Sequence, residues 1–139
     1  MKRIGVLALQ GAFIEHISML RGLGAESLPV RSSAELAGLD GLVIPGGEST
    51  TMRHLLSVYR LQQDISALIG SGLPIMGTCA GMILLAKKLS GAEQNSLGAM
   101  DIDVQRNAFG RQVDSFEADL DMPALGDKPF HAIFIRAPR

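Results

Sequence analysis

Apolar residues fall in continuous runs up to Gly91 and alternate with polar residues after it. Residues 4–9, IGVLAL, form the first run, the pattern of a strand covered on both faces. Gln10-Gly11 then turns the chain into a predicted helix with Phe13, Ile14, Ile17 and Leu20 on one side, ended by Gly22 and Gly24. Residues 26–30 read as a second short strand, and Ser33 as the cap of a short helical turn reaching Leu36. Asp40-Gly41 punctuates the chain before a third strand, Leu42-Val43-Ile44. This order of strands and helices predicts a parallel sheet with right-handed crossovers.

The third strand opens into Pro45-Gly46-Gly47-Glu48-Ser49-Thr50-Thr51, where adjacent glycines leave backbone N–H groups unshielded. Ser49 or Thr50 can cap the next helix, whose apolar positions are Met52, Leu55, Leu56 and Tyr59. A further helix holds Ile65, Leu68 and Ile69 and stops at Gly70-Ser71-Gly72. The run Leu73-Pro74-Ile75-Met76 predicts a fourth strand, followed by a helix over residues 80–89 with Lys87 and Lys88 complementing its C-terminal dipole. Beyond Gly91, residues 101–105 and 115–120 alternate polar with apolar, which predicts half-exposed antiparallel strands. Arg106-Asn107-Ala108-Phe109-Gly110-Arg111 reads as a polar turn between them, and residues 130–135 as a last, buried strand before Arg136.

Candidate chemistry gathers at Gly77-Thr78-Cys79-Ala80-Gly81, between a strand and a helix. A G-x-S-x-G elbow has this order, because small residues let the turn tighten and lift the nucleophile to its crest. The only cysteine in the chain stands at that crest, beside a helix N-terminus that suits an ionised sulfur. A lone cysteine is otherwise most often a small buried hydrophobe, and the flanking glycines are what favour the nucleophile. Such a nucleophile needs oxyanion donors, which the N–H of Ala80 and of Gly46 or Gly47 could supply. The Gly-rich loop lacks the lysine and spacing of a phosphate-binding P-loop. Arg106 and Arg136 could hold a substrate carboxylate or form surface ion pairs. His16, His54 and His131 each read as solvated or structural, since no turn chemistry or paired acid flanks them.

Composition narrows the class further. A length of 139 residues with 47% hydrophobic content predicts a single folded domain spanning the chain, and a net charge of −1 without charged blocks predicts neither nucleic-acid nor membrane binding. One cysteine excludes an internal disulfide framework, and no metal-ligand spacing is present. The first apolar run is too short for a signal peptide, so a soluble, cytoplasmic protein is expected.

Five segments together resemble one family. They are Gly5-Val6-Leu7-Ala8-Leu9-Gln10-Gly11, the loop at residues 45–51, the elbow at 77–81, the run R-N-A-F-G-R-Q-V-D-S-F-E at 106–117, and Phe134-Ile135-Arg136-Ala137-Pro138. The chain is similar throughout to the glutaminase subunit of pyridoxal 5′-phosphate synthase, a class I glutamine amidotransferase family. The resemblance implies a flavodoxin-like three-layer α/β domain, with a mainly parallel sheet and an antiparallel extension, incomplete at its C-terminus. It implies hydrolysis of L-glutamine to glutamate and ammonia, without a cofactor, for the biosynthesis of vitamin B6. Cys79 would form a glutamyl thioester, with Gly47 and Ala80 stabilising the oxyanion. Gly46, Gly47, Glu48, Arg106, Ile135 and Arg136 would line the glutamine site. A (β/α)₈-barrel synthase subunit would receive the ammonia, and Gln10 with its neighbours resembles the segment facing it. Members of the family continue for about fifty more residues, within the usual size of a domain. That stretch carries a His-Pro-Glu motif completing the catalytic triad. None of the three histidines here matches its position, so no catalytic base is carried over. Two rivals stand beside this reading: an inactive subunit that only docks on the synthase, and an unrelated α/β cysteine hydrolase or redox sensor.

Overall fold

The structure, a computed structural model, describes residues 1–106, 108 and 115–135. The chain forms two compact units, Met1–Val104 and Gln105–Arg139, each described by itself. In the first unit, β1 (Arg3–Leu7), β2 (Glu26–Val30), β3 (Gly41–Ile44) and β4 (Ile75–Gly77) make a parallel sheet in the order β2-β1-β3-β4. The register pairs Val6 with Val43, and Ile44 with Gly77.

The unbroken apolar runs arise because both faces of this sheet are covered. Val6 and Val43 point to one face and pack with Phe13, Ile17 and Leu20 of α1 (Phe13–Gly22). Leu42 and Ile44, one residue out of phase, pack on the other face with Met52 and Leu56 of α2 (Ser49–Val58). Leu61 and Ile65 of α3 (Leu61–Gly70) and Leu84 of α4 (Ala80–Leu85) join the same cluster. Each fully buried Leu or Ile there contributes about 1.5–3 kcal/mol of hydrophobic stabilisation. The three-layer α/β/α arrangement matches the expectation from sequence.

Several local expectations are corrected. Ile14 is exposed, because Phe13, Ile17 and Leu20 already define the stripe of α1 that meets the sheet. Tyr59 lies past the end of α2 and is also exposed. Ser32, not Ser33, caps the 3₁₀ turn Ser33–Leu36, with the Glu35 carboxylate accepting from the Ser32 N–H at 2.8 Å. The elbow helix ends at Leu85 rather than Leu89, and residues Ala86–Leu89 form β5. Lys87 and Lys88 therefore sit on a strand and serve no helix dipole, and Lys87 pairs with Asp101 at 3.6 Å. Beside β5 lie β6 (Ala92–Glu93), antiparallel to it, and β7 (Met100–Val104), parallel to it where an antiparallel partner was expected.

The second unit contains an antiparallel hairpin of β8 (Phe116–Leu120) and β9 (Phe130–Phe134), so the antiparallel character expected for residues 115–120 holds while its partner is the last strand. Phe116 and Phe134 stack across it with ring centroids 4.7 Å apart. β9 is not the buried strand its composition suggested: Phe130, Ile133 and the following Ile135 are exposed. Most of the turn at 106–111, and Arg136 with the residues after it, lie outside the described residues.

Candidate active site

Three loops leave the carboxyl ends of β1, β3 and β4, which are neighbours in the sheet. β2 lies to one side of β1 and β3 to the other, so the strand order reverses at this point. Open α/β sheets bind ligands at such a reversal. The loops after β1 and β3 are locked together: the Ala12 N–H donates to the Gly46 carbonyl at 3.0 Å, and the Glu48 N–H donates to Gln10 Oε1 at 3.0 Å. Gly11, at φ +89°, has no room for a side chain, since a Cβ would stand 1.9 Å from the Gly46 oxygen. The Gly46 carbonyl thus faces the β1 loop, and the trans peptide sends the Gly47 N–H the opposite way.

The elbow follows β4. Cys79 has φ +50° and ψ −107°, a conformation that costs a non-glycine residue of order 1–3 kcal/mol. It persists because its neighbours are tied down. The Thr78 N–H donates to the Ile44 carbonyl at 3.0 Å, and the Gly81 N–H donates to the Thr78 carbonyl at 2.9 Å. Gly81 lets α4 rest directly on β3, since a Cβ there would stand 2.1 Å from the Ile44 oxygen. Cys79 is exposed and Ala80 is buried at the first position of α4, where backbone N–H groups lack helical partners. A Cβ on Gly46 would come 3.4 Å from the Cys79 Cβ, so the Gly-rich loop and the nucleophile-type residue are adjacent.

The structure therefore brings together Gln10, Gly46, Gly47, Glu48, Cys79 and Ala80 in the first unit. Arg106 and Ile135 belong to the second, and Arg136 falls outside the described residues. Glu48 carries a role its sequence position did not suggest. It, rather than Ser49 or Thr50, is the N-cap of α2, its carboxylate accepting from the Thr50 N–H at 3.0 Å, the Thr51 N–H at 2.7 Å and the Thr51 hydroxyl at 2.7 Å. The Thr51 side chain and these N–H groups pull its carboxyl down to about 2.

Two histidines also have partners that sequence reasoning missed. His16 Nε2 lies 3.1 Å from Thr78 Oγ1, next to the elbow crest. His131 contradicts the expectation of no paired acid, because its two ring nitrogens meet Asp119 Oδ1 at 2.8 Å and Glu117 Oε2 at 2.9 Å. These carboxylates are distant in sequence and adjacent across the hairpin, and Asp119 foremost raises the His131 pKa.

Cys79 thus stands on a strand–turn–helix elbow at the carboxyl edge of a flavodoxin-like parallel sheet, with a Gly-rich loop beside it. Residues 6–139 match the SNO glutamine amidotransferase family, and the chain belongs to that family. It is 60% identical over 138 residues to a Dehalococcoides mccartyi protein named pyridoxal 5′-phosphate synthase subunit PdxT, covering 98% of this chain and 71% of that protein. The protein of that name from Moorella thermoacetica is 57% identical over 136 residues, covering 98% of this chain and 72% of the relative. A solved glutamine amidotransferase superposes with a TM-score of 0.87 at 48% identity, covering 97% of this chain and 71% of that one.

Proposed function

We propose that this chain is the glutaminase subunit of a pyridoxal 5′-phosphate synthase, hydrolysing L-glutamine to glutamate and supplying the ammonia to a synthase subunit. Family membership and the relatives' names support the reaction. The observation that carries it to a residue is Cys79, held at positive φ at the crest of the elbow beside Gly46.

In this reading Cys79 Sγ attacks the side-chain amide carbon of glutamine. The N–H groups of Gly47 and Ala80 take the oxyanion, a function that water-exposed donors would perform far less well. Collapse of the tetrahedral intermediate forms the glutamyl thioester and expels ammonia once the nitrogen has gained a proton. Water then hydrolyses the thioester. The proton transfers need a general base and acid, which the resemblance assigns to a His-Pro-Glu motif in longer relatives. Gly46 and Gly47 contribute to the glutamine site from the first unit, and the resemblance alone assigns Arg106, Ile135 and Arg136 to it. Glu48 contributes chiefly by fixing the start of α2, because its carboxylate is already engaged. The proposed partner is a (β/α)₈-barrel subunit, which Gln10 and its neighbours face. No helix among the described residues is long and apolar enough to cross a membrane.

The test is ammonia release from glutamine, with and without the synthase subunit, beside Cys79→Ala. Release that needs Cys79 supports the reading. Synthase binding without Cys79-dependent release would leave a docking subunit and overturn it.

A further inference from the structure

We propose that His16 is a positioning residue for the nucleophile, holding Thr78 and through it the strained Cys79 backbone. The inference rests on the reading of Cys79 as nucleophile and adds a residue to it. A helix that follows a parallel strand starts at that strand's carboxyl end, so the first turns of α1 lie along the edge that carries the elbow. Phe13, Ile17 and Leu20 seat α1 on the sheet, and this places His16 half-buried at the flank of their stripe. From there its Nε2 reaches Thr78 Oγ1 at 3.1 Å, across 62 positions of sequence.

The location of this bond gives it consequence. Cys79 sits at φ +50°, and a relaxed backbone would turn the 78–79 peptide and carry the sulfur away from Gly46. The Thr78 N–H and carbonyl are fixed by Ile44 and Gly81. Its hydroxyl is carried on Cβ, two bonds from Cα, so anchoring that hydroxyl on His16 also restrains the backbone that bears it. The ring therefore braces the elbow from the α1 side, opposite the close contact of Gly81 with β3.

The experiment compares His16→Ala, His16→Gln, Thr78→Val, Thr78→Ser and the double variant H16A/T78V in the full chain with the synthase subunit present. One readout is kcat and KM for glutamine, and another is the rate of Cys79 alkylation by iodoacetamide, which needs no turnover. Glutamine can place an amide nitrogen where the histidine has Nε2, and serine retains the hydroxyl. H16A and T78V are expected to lower kcat and the alkylation rate by roughly three- to tenfold, the range of one hydrogen bond. KM should stay unchanged, since alignment of the sulfur acts in the transition state. H16Q and T78S should restore both rates, and H16A/T78V should be no slower than the slower single variant. Unchanged rates in H16A, additive losses in the double variant, or no rescue by H16Q would overturn the proposal. If an alanine variant fails to fold, T78V against T78S decides the matter by the same criteria. Cys79→Ala separates the two readings: ammonia release surviving it refutes the nucleophile itself, whereas its loss beside a normal H16A refutes only the role of His16.

Discussion

Gly81→Ala tests whether Cys79 is seated by direct contact between α4 and β3. The added Cβ would lie 2.1 Å from the Ile44 oxygen and 2.9 Å from its carbonyl carbon. It falls roughly 1.3 Å short of the 3.4 Å at which ordinary contact begins. Backbone atoms of a central strand cannot swing aside as a side-chain tip can, so α4 must lift. Ala80, Leu84 and Leu85 would lift with it, all of them buried against the main core. Overpacking of this kind costs about 1–3 kcal/mol, partly offset by about 1 kcal/mol from the better helix propensity of alanine. A net loss of about 1 kcal/mol would lower Tm by roughly 3 °C for a chain of this size. Movement of Cys79 by about 1 Å relative to Gly46 should also lower kcat roughly a hundredfold. Gly70→Ala is the matched control, because nothing lies within 4 Å of its Cβ position and its φ is ordinary. Thermal unfolding by circular dichroism and ammonia release would be measured on both variants. Equal stability and activity for G81A and G70A would refute the reasoning.

Other expectations follow from single residues. Leu84, fully buried in the main core, should cost about 2–5 kcal/mol as Leu84→Ala in denaturant unfolding, whereas exposed Met19→Ala should stay within about 0.5 kcal/mol. Glu48 has a lowered pKa of about 2, so its stabilising contribution is present above the ordinary value of 4.5 and lost as pH falls towards 2. Wild type and Glu48→Gln should then converge in stability across that window, and a constant gap down to pH 2 would contradict the capping role. His131 has a raised pKa, so its pairing with Asp119 and Glu117 contributes fully below the ordinary 6.5, while the acids are ionised, and fades as pH rises through the raised value. Its imidazole NMR titration should have a midpoint above 6.5 that Asp119→Asn moves down; a midpoint at or below 6.5 would refute the pairing.

The strands β1 and β3 were legible in the sequence because burial on both faces removes the polar residue from every second position, and that signature needs no knowledge of partners. The elbow and Gly-rich loop were legible for a related reason: a turn this tight, and loops this close, admit little but glycine at Gly11 and Gly81, and glycine spacing is local information. The end of α4 was not. Residues 80–89 are apolar enough for either a helix or a helix followed by a strand, and pairing of Ala86–Leu89 with β7, more than ten residues away, decides the outcome. Glu48 was placed at the glutamine site by resemblance alone, and its capping of α2 was not legible because a cap depends on where the first turn begins in space. His16 and His131 looked unpartnered for the same reason. A histidine's partners are set by which elements fold against it, and Thr78, Asp119 and Glu117 approach only once α1 lies on the sheet and the hairpin closes. Sequence alone determined the chemistry available to this protein, and tertiary packing decided which groups are close enough to take part, because hydrogen bonds act over about 3 Å.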